Sequence, residues 1–188
     1  MKKISLLLLS FLTIQVASQT IDTDQLKKAF LKLENDNSII NQERYFNLFP
    51  NSFTSFVNVF GYVNDKPAPL YDGHEYVLKF FELGGVNEFS LMEKCFNISI
   101  GGEWEADAIN YFQHGLHSLV LQNVGLNYQV LKDKSDSEIE SFYYFFFHSI
   151  HPVFHVIPDE FKTLETTNES FYALIEQGHI RALKNSGH

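Results

Sequence analysis

Cysteine is nearly absent: Cys95 stands alone. One cysteine closes no internal disulfide and builds no zinc site of the cysteine-pair kind. A cysteine is also missing from the region where a lipoprotein would be cleaved and anchored. Basic residues are scarce, at 14 Lys and Arg against 23 Asp and Glu, for a formal charge of −9. That balance disfavours wrapping nucleic acid or lying on an anionic membrane, both of which need a positive surface. Sequence fingerprints of catalysis are missing as well. There is no GxSxG elbow, no GxGxxG or Walker loop and no HExxH pair, which removes the usual marks of serine hydrolases, nucleotide enzymes and helical zinc proteases. No apolar run reaches the roughly 20 residues of a comfortable membrane span.

What is present begins at the N-terminus. "MKKISLLLLSFLTIQVASQ" places Lys2 and Lys3 before an apolar run from Ile4 to Val16, with Ala17 and Ser18 behind it. This is the layout of a secretory signal peptide, residues 1–18, with cleavage after Ser18 placing Val16 and Ser18 at the small-residue positions and leaving Gln19 at the new terminus. Residues 19–188, roughly 170 in number, then suit a single domain with one sizeable core. Loss of Lys2 and Lys3 makes the exported chain more acidic still, so a basic partner is the natural complement. The expected location is periplasmic or secreted. With no disulfide to help, stability must come from packing, and 19 Phe with 9 Tyr provide large apolar surfaces for it.

Hydrophobic periodicity reads as helix after helix. Leu26, Phe30 and Leu33 recur at helical steps after Asp22, which has a capping-box partner in Gln25. Pro50 divides "NQERYFNLF" from "NSFTSFVNVF", two short helices or one bent one, and Gly61 ends the second. "GYVNDKPAPLY" is the longest loop. Asp72 and Glu75 have the spacing of another capping box before a helix that stops at Gly84 and Gly85. Asn87 to Asn97 carries Phe89, Met92 and Phe96 on one stripe, with Cys95 beside them as a buried, inert thiol. A long helix is expected from Trp104 to Gln122, "VGLNYQVL" is ambiguous, and Ser135 with Glu138 opens a helix reaching Ile150. Pro158, Asp159 and Glu160 begin a short helix, and Asn168 caps the last. The expected fold is all-α: a single-domain bundle of seven or eight helices.

Two groups of residues invite a chemical reading. On the long helix Asp107, Asn110, His114 and His117 follow steps of three, four and three, so they share one face, opposite Ile109, Phe112, Leu116, Leu119 and Val120. The stripe is expected to look outward. It reads as a solvated face or a partner-binding face, and a carboxylate with two imidazoles also suits a divalent metal. The second group lies in "FYYFFFHSIHPVFH", Phe142 to His155, with seven aromatic rings and three histidines. Phe142, Phe146 and Ile150 form one stripe. The opposite side carries Ser141, Tyr144, Phe145 and His148, which leaves the helix aromatic nearly all round and marks it as central to the fold. Metal binding by His148, His151 and His155 would require a kink, because Pro152 interrupts the helix; such a kink brings them together or joins them to His114 and His117 on the long helix. The carboxylate pairs Glu103 and Glu105, and Asp159 and Glu160, sit at helix starts, where acids favour the dipole.

Three segments, "YFNLFPNSFTSFVNVFGY", "APLYDGHEYVLKFFEL" and "GGEWEADAINYFQHGL", stand in this order over residues 45–116. Together they resemble uncharacterised small helical proteins associated with polymorphic, RHS-type toxin loci. The resemblance implies an immunity-like role and carries over no catalytic residue and no cofactor. The expected function is therefore an exported, non-enzymatic protein that binds a protein partner through Asp107, Asn110, His114 and His117. The alternative is an exported metal-binding protein or metal-dependent enzyme using His114, His117, His148, His151 and His155.

Overall fold

The computed structural model describes residues 21–104, 107–151 and 153–186. The signal peptide expected over residues 1–18 lies outside the described residues, as do Glu105 and Pro152. The protein is all-α. The described residues form ten α-helices: α1 (Thr23–Asn35), α2 (Ile39–Leu48), α3 (Phe53–Phe60), α4 (His74–Phe81), α5 (Glu88–Ser99), α6 (Asp107–Gln122), α7 (Val124–Leu131), α8 (Asp136–Phe147), α9 (Lys162–Thr167) and α10 (Glu169–Asn185). The count exceeds seven or eight for local reasons. Pro50 separates α2 from α3 completely, with Ser52 and Ser55 forming a capping box at the start of α3. "VGLNYQVL" is helical despite Gly125, because Asn127, Val130 and Leu131 bury one face. The long loop contains a two-residue antiparallel hairpin, β1 (Tyr62–Val63) with β2 (Lys66–Pro67). Asn64 and Asp65 turn it with φ of 53° and 60°, the left-handed pair of a tight hairpin, which Asn and Asp tolerate.

The caps explain most boundaries. Asp22 accepts from the amides of Asp24 and Gln25, and Ser135 and Glu138 bond reciprocally. The Asp72–Glu75 box does not form. Gly73 bonds back to Leu70 and becomes the N-cap of α4, which leaves Asp72 exposed at the surface. Asn168 does stand before α10, but its side-chain oxygen accepts from the Tyr128 hydroxyl at 2.8 Å instead of capping the helix.

Helix α8 runs through the middle. Every residue from Phe142 to Phe147 is buried, including Tyr144 and Phe145 on the side that lacks charge in the sequence. Phe96 of α5 meets Phe142, Phe112 of α6 meets Phe145, and Phe53 of α3 meets Phe145 from another side. Helix α10 lies closest. A Cβ at Gly178 would stand 2.7 Å from Tyr143 Cβ and 2.8 Å from the Tyr144 amide nitrogen, so only glycine permits this approach. The expected stripe breaks down beyond Phe147. Ile150 is 40% exposed because α8 ends early. A proline at 152 offers no N–H to the His148 carbonyl and biases its predecessor away from helix. In α5 the buried stripe is Leu91, Met92, Cys95 and Phe96, and Phe89 is exposed. Burial pushes the Cys95 thiol far above its ordinary range, as an inert core thiol requires.

Lys94 is buried, and among the described residues it has no carboxylate partner. Lys94 Nζ donates to the carbonyls of Phe46 (2.6 Å) and Phe49 (3.1 Å) and lies 4.4 Å from the Phe46 ring centroid. It thus caps the C-terminal end of α2, where the helix dipole favours a cation. Burial draws its pKa down to about 8.

Candidate functional site

The site is built along α6. Its four-residue polar stripe is graded rather than uniformly outward. Asp107 and His114 are exposed, and Asn110 is half-buried with its Oδ1 accepting from Trp104 Nε1 at 2.9 Å. His117 departs from expectation. Its ring packs edge-on against Phe146 and Phe154, and its Nε2 is 2.7 Å from the Phe146 carbonyl oxygen. That contact decides its tautomer: a carbonyl can only accept, so Nε2 carries the hydrogen and Nδ1 keeps a lone pair. Burial lowers the His117 pKa to about 4, against the opposing effect of the Phe146 bond, so the ring is neutral at neutral pH.

Gln113 is the residue that the sequence reading passes over. It is 3% exposed, and its Nε2 donates to the carbonyls of Phe145 and His148, both at 2.7 Å. The last carbonyls of a helix lack intrahelical donors. At the end of α8, His148 N–H supplies Tyr144, Gln113 supplies Phe145, and His117 supplies Phe146. Two side chains of α6 therefore cap α8 from the side. Gln113 lies at the border between the apolar and polar stripes of α6, and a polar residue at that border was the available signal.

The segment after α8 folds back against α6. Phe154 stacks on Phe146, and the buried His179 of α10, not among the sequence candidates, holds the Phe154 carbonyl at 3.1 Å. His148 accepts from the Trp104 amide at 3.4 Å and stacks on Tyr144. His151 and His155 are exposed. Between α6 and this segment lies a cleft of about 300 Å³, lined by Trp104, Asn110, Gln113, His114, His117 and His151, with Ile150 and Val153 at its lip. The structure thus joins His151 to His114 and His117, and leaves His148 and His155 out of the lining. Among the described residues no three His, Cys, Asp or Glu side chains are placed to hold a metal ion.

A second cleft, about 260 Å³, borders the N-terminal half of α6 and is lined by Tyr71, Asp72, His74, Asp107 and Tyr111. His74 stacks on Tyr111 with centroids 5.0 Å apart, and Tyr62 meets Tyr71 edge-on at 4.8 Å. The Tyr71 hydroxyl is held above its ordinary pKa, first by desolvation and then by Tyr62, Asp107 and Asp72. Among the described residues neither aspartate has an ion-pair partner. No helix of the described residues is long and apolar enough to cross a membrane.

No protein-family model matches this chain, and no curated protein or solved structure does either.

Proposed function

We propose that this is an exported, non-enzymatic binding protein, and that the outward face of α6 recognises a basic protein partner. One observation carries the reading. Asp107, Tyr111 and His114 are exposed on one helix face, and Tyr71, Asp72 and His74 extend it across the neighbouring cleft. Aromatic rings beside carboxylates that lack ion-pair partners among the described residues suit an Arg or Lys side chain, which packs on the rings and pairs with the acids. The net charge of −9 would steer such a partner toward the surface. The sharpest version is an immunity-like partner of a toxin, met in the cell envelope or outside the cell, as the resemblance over residues 45–116 implies. His117 leaves the recognition set, because its work is to cap α8.

The test is a pull-down from native cell-envelope extract with the mature protein and an Asp107→Arg, His114→Ala variant. A basic protein recovered with the wild type and lost with a variant of unchanged melting temperature supports the reading. Equal recovery with both refutes this face. The metal-dependent alternative would require zinc to bind at one equivalent and to be lost in His114→Ala.

A further inference from the structure

The histidine cleft differs chemically from the acidic surface beside it. No lysine, arginine, aspartate or glutamate lines it. Three of its polar side chains are nevertheless held in fixed orientations. The two hydrogens of Gln113 Nε2 are both engaged at 2.7 Å, which fixes the plane of the amide and the direction of Oε1. The Phe146 contact fixes His117 with Nδ1 as an acceptor. Asn110 is held by Trp104 Nε1 on its oxygen, which leaves Nδ2 as a donor. Among the described residues, none of Gln113 Oε1, His117 Nδ1 and Asn110 Nδ2 has a hydrogen-bond partner. No buried side-chain polar atom there is left unpaired either. The cleft is the space that these three side chains line together.

We infer that this cleft is a binding site for a neutral, hydroxyl-rich ring of monosaccharide size. Two acceptors preset by the capping of α8, and one donor preset by the Trp104 bond, match hydroxyl groups, which both donate and accept. The indole of Trp104 and the lip residues Ile150 and Val153 provide apolar surface for the C–H face of such a ring. A free cation would meet no carboxylate there, and cationic ligands are held by opposite charges. The volume is at the small end of the roughly 300–1,000 Å³ typical of small-molecule sites, which fits one ring. This inference goes beyond the partner face. It stands whether or not Asp107 and Tyr111 engage a protein.

Trp104 is the only tryptophan, so its emission reports on the cleft directly. The experiment is a fluorescence titration of the mature protein with glucose and with N-acetylglucosamine, beside ethylguanidinium and acetate as charged probes. At least one sugar is expected to give a saturable change with half-saturation at or below about 10 mM, a weak affinity natural to so small a ligand. Val153→Arg, at a site 57% exposed, should weaken that response at least about tenfold by blocking the lip. Asn110→Asp keeps the acceptor for Trp104 and removes the amide donor, and should weaken it similarly. Three results would each overturn the site: no saturation with either sugar up to about 50 mM, an unchanged titration in both variants, or a tighter response to a charged probe than to the sugars.

Discussion

Replacing Gln113 with leucine tests how the central helix is terminated. Leucine fills nearly the same space but donates nothing. In the native protein one side chain, 3% exposed, supplies both the Phe145 and the His148 carbonyl at 2.7 Å. Its loss leaves two acceptors without donors. An orphaned buried polar group costs about 1–3 kcal/mol. The Phe145 carbonyl is buried and suffers most of that, while the His148 carbonyl lies nearer the cleft, where water can relieve it. The expected loss is about 2–4 kcal/mol, a large part of the 5–15 kcal/mol that holds an ordinary domain together. A urea titration followed by far-ultraviolet circular dichroism and by Trp104 emission would measure it. With a slope near 2 kcal/mol/M, the midpoint should fall by about 1–2 M at unchanged slope. Gln113→Glu gives an independent check. At neutral pH its carboxylate would face two carbonyl oxygens, so it should be less stable than Gln113→Leu. It should recover as the pH falls and the acid gains a hydrogen to donate. A loss below about 0.5 kcal/mol in Gln113→Leu would refute the capping argument, because surface substitutions alone fall in that range.

Three further outcomes follow from the same structure. Phe142→Ala or Phe146→Ala, at sites no more than 1% exposed, should cost about 3–5 kcal/mol in the same titration. Stability should fall as the pH drops from about 6.5 toward 4. The folded pKa of His117 is lowered to about 4, so in that window the unfolded chain takes up a proton that the fold refuses. The loss should approach about 3 kcal/mol and should shrink in His117→Gln, which keeps an N–H donor and does not titrate. Intact mass of the exported protein should show residues 1–18 removed, and Met1 still attached would contradict the signal-peptide reading.

The helical architecture was legible because it depends on local signals. Asp22 and Ser135 cap their helices as their spacing implies, and Phe112, Leu116, Phe142 and Phe146 are buried where periodicity places them. The errors arose where a distant contact overrides a local pattern. Asn168 gives its oxygen to Tyr128, and Gly73 takes the capping position from Asp72. His117 shares a stripe with Asp107 but lies where the end of α8 crosses α6, so its side of the helix is covered there and open further back. The same crossing brings His151 to His114, which spacing cannot show. Gln113 was passed over because its two hydrogen bonds are made to the backbone of another part of the chain, which no local pattern reveals.

The recognition claim is tested most directly by the affinity of the captured partner, measured by calorimetry against the wild type and against Asp72→Lys, Asp107→Lys. Both aspartates are exposed, so the double variant should keep its melting temperature. If the α6 face and its cleft seat a cationic hot spot, the variant should bind at least about 30-fold more weakly, the equivalent of about 2 kcal/mol. An affinity within about twofold of the wild type would contradict the account.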